Sequence, residues 1–97
     1  MLEKFEIPYT FMMKYGVKKS IIFNILWYFE ESGEPYWCRG NKYIQQIFPF
    51  FGINRLTETL VEMEQKDGIL VKVPGSVSHA RGGYYKPSLK GRKEFRV

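Results

Sequence analysis

The sequence predicts one α+β domain in which a helical body is followed by a C-terminal β-hairpin. Three observations carry this. Apolar residues recur at helical spacing over residues 17–32 and again over 53–66. Residues 69–73, Ile-Leu-Val-Lys-Val, are β-branched and apolar, and a second short run resumes at Tyr84-Tyr85-Lys86 after a turn-rich stretch. A chain of 97 residues that is 44% hydrophobic and 18% aromatic matches a single core, and neither repeats nor low-complexity stretches nor linkers divide residues 1–97.

Residues 1–16 read as an N-terminal arm. Its first part, Phe5, Ile7, Pro8 and Tyr9, is expected to be extended, because Pro8 biases Ile7 away from helix. Phe11, Met12, Met13 and Tyr15 then suggest a short helical turn stopped by Gly16. In the first long helix, Val17 to Ser32, Ile21, Ile22, Ile25, Leu26 and Phe29 form one wide stripe. Phe23 and Trp27 project from the opposite side, so a second stripe needs cover. Either Phe5, Ile7 and Phe11 of the arm supply it, or another subunit does. Phe23 and Trp27 are therefore the candidate contacts for a homodimer or a partner. Gly33 suits the position after the helix, and Pro35 prevents continuation.

Tyr36-Trp37-Cys38 predicts a short edge strand with a buried thiol. After the Arg39-Gly40 turn, Asn41 is a good N-cap for a second helix through Tyr43, Ile44 and Ile47, which Pro49 stops. Phe50-Phe51-Gly52 makes a tight apolar turn into a third helix, with Ile53, Leu56, Leu60 and Met63 on one face. Asn54, Glu58 and Glu62 lie on its solvent side, and Asp67-Gly68 ends it through a left-handed cap. The two hairpin strands are joined by a Gly-rich loop of roughly ten residues bearing Arg81, longer than the two to five usual for hairpins. Tyr84 and Tyr85 alternate, so one ring packs and the other faces out. Residues 86–97 read as a basic tail. Two helices joined by a short turn are the helix-turn-helix arrangement, and a hairpin behind them makes the winged form. The expected fold is thus α+β, a winged helix-turn-helix with a three-helix core, a short strand and a C-terminal β-hairpin wing.

Composition narrows the function. A single Cys38 excludes a disulfide framework and agrees with a reducing cytoplasm. No apolar run approaches the roughly 20 residues of a membrane helix, and the first residues lack the apolar core of a signal peptide. No membrane partner is expected. One His (His79), one Cys and one Asp (Asp67) leave no material for a metal cluster or a nucleophile–base triad. The chain is therefore expected to be a binding protein, with no catalytic residue, no metal and no cofactor.

Charge says what it binds. Fifteen Lys+Arg against ten Asp+Glu give a formal net charge of +5. The excess is unevenly placed: Met1 to Gly68 carries eight basic and nine acidic residues, whereas Ile69 to Val97 carries seven basic residues and only Glu94. A last third of net +6 points to a polyanion. Candidate phosphate contacts are Lys72, Arg81, Lys86 and Lys90 on and behind the hairpin, Arg55 near the start of the third helix, and Lys42 at the start of the second.

Phe5-Glu6-Ile7-Pro8, Phe48-Pro49-Phe50-Phe51-Gly52 and the run Leu56…Leu60…Met63-Glu64-Gln65-Lys66-Asp67-Gly68-Ile69-Leu70 carry a resemblance. To about Tyr85 the chain resembles the winged helix-turn-helix domains of phage and bacterial replication proteins, the N-terminal domains of replisome organisers and DnaD-like initiators. The closing Pro87-Ser88-Leu89-Lys90-Gly91-Arg92 is similar to the end of several winged-helix transcription regulators. The resemblance implies that the third helix enters a DNA major groove, where Asn54, Arg55, Thr57 and Glu58 face base edges, with Val61 and Glu62 further along. It implies a wing on the backbone or minor groove. Relatives usually place Arg or Lys where this chain has Thr57, Glu58, Val61 and Glu62, so affinity is expected from the wing.

The reading that follows is a small double-stranded DNA-binding protein of a phage or mobile element in a bacterial or archaeal cytoplasm. It would act in transcription regulation or replication initiation. The alternative is a protein-interaction module on the same fold, an adaptor or inhibitor of a host or replication protein. That alternative is motivated by the acidic third helix (Glu58, Glu62, Glu64) and by Phe23 and Trp27.

Overall fold

The computed structural model describes residues 7–33, 45, 49, 52–73 and 84–95. Over these residues the chain is α+β, with four helices and a two-stranded antiparallel sheet. The expected strand at 36–38, most of the expected second helix, the turn at 50–51 and the loop at 74–83 lie outside them. Lys42 and Arg81 fall there too, as do Cys38 and His79.

The arm contains a true helix, α1 (Tyr9–Tyr15), rather than a single turn. Pro8 precedes it in an extended conformation, and the Met12 N–H bonds back to the Pro8 carbonyl at 3.1 Å. Gly16, at φ 89°, then reverses the chain while its N–H closes on the Met12 carbonyl at 2.8 Å. A side chain there would be strained, which is why glycine separates α1 from α2 (Val17–Ser32). Ser20 returns its hydroxyl to the Gly16 carbonyl at 2.7 Å, so the buried polar group is satisfied. The far end of α2 is the left-handed Gly33, φ 71°, with its N–H on the Phe29 carbonyl, as the sequence predicts.

Both stripes of α2 are covered, with Ile21 and Trp27 partly buried. Ile22, Ile25, Leu26 and Phe29 enter the common core with Leu56, Leu60 and Met63 of α3 (Ile53–Gln65) and Ile69 and Leu70 beyond it. At the end of α3 the Asp67 N–H reaches the Glu62 carbonyl at 3.1 Å and the Ile69 N–H reaches that of Met63 at 3.0 Å. Gly68, at φ 71°, makes this reversal, and the chain enters β1 (Leu70–Lys72) directly. β1 pairs antiparallel with β2 (Tyr85–Pro87), with Leu70 opposite Pro87, Val71 opposite Lys86 and Lys72 opposite Tyr85. The strands are shorter than the apolar runs suggested, but each gains a flanking bond. The Val73 N–H donates to the Tyr84 carbonyl at 2.8 Å and the Ser88 N–H to that of Ile69 at 2.9 Å.

Two expectations are corrected. Residues 86–95 of the expected tail are structured: Lys86 and Pro87 belong to β2, and residues 89–95 form a helix, α4 (Leu89–Phe95). Ser88 caps it, its hydroxyl accepting the Gly91 N–H at 3.1 Å and donating to the Gly68 carbonyl at 2.6 Å. Nor is Phe23 a surface for another subunit. Its ring is fully buried, 4.8 Å from that of Phe11 and 4.9 Å from that of Phe95, and Trp27 lies half-buried 5.1 Å from Phe95. The cover comes from within the chain: Phe11 as anticipated, a partly buried Ile7, and α4, which the apolar pattern does not reveal. Among the described residues the large apolar side chains left in solvent are Tyr9, Met13, Val17, Val71 and Leu89.

Candidate nucleic-acid interface

The outer face of α3 follows from its inner one. With Leu56, Leu60 and Met63 buried at helical spacing, Asn54, Arg55, Glu58 and Glu62 are left exposed. Thr57 and Val61 are half-buried on its flank, so Thr57 presents less to a ligand than the resemblance implies. The buried Thr59 donates its hydroxyl to the Arg55 carbonyl at 2.7 Å, a local bond that satisfies it without a partner from outside. The result is a polar face with a single cation, Arg55, near its start.

The two acids expected on that face differ. Glu58 stands in solvent, whereas Glu62 is met by Lys19, which reaches across from α2. The Lys19 ammonium donates to Glu62 Oε1 and to Asp67 Oδ2, each at 2.7 Å. Burial alone would lower the pKa of Lys19, but the bonds to Asp67 and Glu62 outweigh it and raise the value. The bond from Lys19, and then its charge, holds the Glu62 carboxyl below its ordinary range. Lys19 has no place in the sequence reading. Its partners stand 43 and 48 residues away, and no periodicity connects them.

The hairpin lies against α3 through β1. Lys72 is exposed at the end of β1, and Lys86 lies on β2 opposite the part-exposed Val71, half-buried itself. Opposite Lys72 the Tyr85 ring is buried, and its hydroxyl has no hydrogen-bond partner among the described residues. Burial, with the nearby Glu64 charge, pushes that phenol up. Tyr84 is half-buried, so the pair splits as the alternation predicts. The side chains of Arg55, Lys72 and Lys86 make no ion pair among the described residues.

The charges of α4 behave otherwise. Lys90, expected on DNA, donates to the Asp67 carbonyl at 2.8 Å and so satisfies an acceptor just past the end of α3. Arg92 pairs with Glu30 of α2 at 3.4 Å. Glu94 accepts hydrogen bonds from both the Lys14 ammonium and the Tyr15 hydroxyl of α1. Burial alone would raise the Glu94 carboxyl, but these two donors and the Lys14 charge prevail and lower it. Burial and the same carboxylate push the Tyr15 phenol well up.

The structure thus separates the basic residues of the last third. Among the described residues Lys72 and Lys86 have no internal counter-ion, whereas Lys90 bonds the Asp67 carbonyl and Arg92 pairs with Glu30. Cations without an internal counter-ion, set on a hairpin beside a polar helix face, can neutralise phosphates. Among the described residues no three His, Cys, Asp or Glu side chains gather as a metal site would require, and no helix is long and apolar enough to cross a membrane. Compared with known proteins, no family model matches the chain, and neither a curated protein nor a solved structure matches it.

Proposed function

We propose that this protein binds double-stranded DNA as a small winged helix-turn-helix domain of a phage or mobile element, in transcription regulation or replication initiation. One observation carries the reading. A helix with an exposed polar face, α3, runs through a tight glycine cap straight into an antiparallel hairpin whose lysines, Lys72 and Lys86, have no internal partner among the described residues. In this reading the hairpin neutralises phosphates, and Arg81 extends that contact from the loop. Asn54 and Arg55 add modest base reading from the start of α3, where Glu58 suits a cytosine amine. The bacterial or archaeal cytoplasm is the corresponding compartment.

The test is a salt series of fluorescence anisotropy on a short mixed-sequence duplex. Counter-ion release predicts that log K falls against log salt by about 0.9 per neutralised phosphate. Replacing Lys72, Arg81 or Lys86 by Ala should each weaken binding and reduce that slope by about 1. No binding at about 50 mM salt, or a slope unaltered by all three replacements, would end the reading.

A second reading, a protein-interaction module, is favoured by one specific feature. Tyr9 and Met13, four apart on α1, are 74% and 68% exposed, and Val17 at the start of α2 is 57% exposed. These side chains, rather than the buried Phe23, are what a partner or second copy would meet. Sedimentation of the wild type and of Tyr9→Ser/Met13→Ser separates the readings. A monomer unchanged by the substitutions, together with duplex binding, leaves the DNA reading alone.

A further inference from the structure

We infer that Lys19 is a positioning residue for the DNA-facing helix, an internal counter-ion that keeps the carboxylates of α3 from repelling a phosphate backbone; this rests on the DNA reading above. Residues 53–67 carry two cations, Arg55 and Lys66, and four acids, Glu58, Glu62, Glu64 and Asp67. Left to itself, such a segment presents net −2 to a polyanion. Lys19 comes from another helix, is itself only 18% exposed, and touches two of the four acids at 2.7 Å. Its charge halves the net charge of the segment, and its geometry holds the Glu62 carboxylate toward α2.

Lys19 suits this role better than a surface lysine would. Its side chain is anchored by two carboxylates, and Asp67, its second partner, is only 14% exposed in the turn that leads into β1. The same ammonium therefore ties the helix that would meet the groove to the origin of the hairpin. A solvated lysine on α3 itself would contribute charge but would fix neither.

A double-mutant cycle on duplex affinity tests this, with each variant first melted by circular dichroism so that affinity is read on folded protein. Lys19→Met should weaken binding roughly two- to fivefold at low salt, from the Coulomb term of one charge about 10 Å from several phosphates in water, and the loss should fade as salt rises. Lys19→Arg should retain affinity. Glu62→Gln should tighten binding more in the Lys19→Met background than in the wild type, whereas Glu58→Gln should tighten it equally in both. Should Lys19→Met fail to fold, the wild-type background decides: pairing requires Glu58→Gln to tighten binding more than Glu62→Gln. Additive effects at positions 19 and 62, or an affinity that follows only the folded fraction, overturn the inference and leave the DNA reading standing. A wild type that binds no duplex overturns both.

Discussion

The corner where α1, α2 and α4 meet and the edge formed by α3 and the hairpin draw on similar side chains and use them in opposite ways. At the corner, Phe11, Phe23, Phe95 and Trp27 stack within about one ring diameter of each other, and the charges above them close on partners inside the chain. At the edge, Leu56, Leu60 and Met63 turn inward while Arg55, Lys72 and Lys86 face outward without an internal anion among the described residues. Basic residues are therefore not interchangeable evidence for a ligand. Lys90 and Arg92 of α4 meet groups within the chain, whereas Lys72 and Lys86 of the hairpin meet no anion among the described residues.

The strongest way to break this contrast is to remove the centre of the corner. Phe23→Ala should cost about 3–5 kcal/mol, the range for deleting a fully buried aromatic ring, seen as a large fall in the denaturant midpoint. Next is Gly91→Ala. A Cβ there would stand 2.5 Å from the Ile69 carbonyl oxygen and 2.7 Å from the Phe23 ring, so α4 must move away. Overpacking of this kind costs about 1–3 kcal/mol, despite the better helix propensity of alanine. Duplex affinity per folded molecule should survive it, since α4 belongs to the corner.

Acid sharpens the comparison with a smaller effect. Glu94 and Glu62 both titrate below their ordinary value of 4.5 in the fold. A carboxyl lowered by folding stabilises fully above that value, and the contribution is lost as pH falls through the lowered one. The thermal midpoint should therefore hold between neutrality and 4.5 and decline below, and Glu94→Gln should remove part of that decline. At neutral pH the substitution should cost about 0.5–1 kcal/mol, as for a partly exposed pair. Smallest in stability are Lys72→Ala and Lys86→Ala, expected within about 0.5 kcal/mol of wild type because nothing described depends on their charge. Lys90→Ala should show the reverse pattern, losing stability with little change in DNA affinity.

Much of the fold is legible in order along the chain. The core stripe of α2, the inner face of α3, the glycines at 16, 33 and 68 and the two strands all follow from local rules. A 3.6-residue period, a positive φ or a β-branched run is written within a few neighbouring residues. Helix α4 is not legible in that way. Seven residues with three basic side chains and an internal glycine carry no amphipathic period, and only the Ser88 cap hints at a start. The helix exists because Phe95 and Gly91 find Phe23 waiting for them.

The sequence by itself determined the element order, the inner face of α3 and the concentration of positive charge after residue 69, because propensity, periodicity and composition are local quantities. Only the tertiary structure decided which of those charges are available. Whether Lys90 meets a carbonyl, Arg92 meets Glu30, or Lys19 meets Glu62 depends on residues tens of positions apart being brought into contact, and a hydrogen-bonded or paired charge needs that contact. The same reason decides between the two covers the sequence left open for the second stripe of α2. Its cover comes from the two ends of the described chain, which only the folded backbone joins.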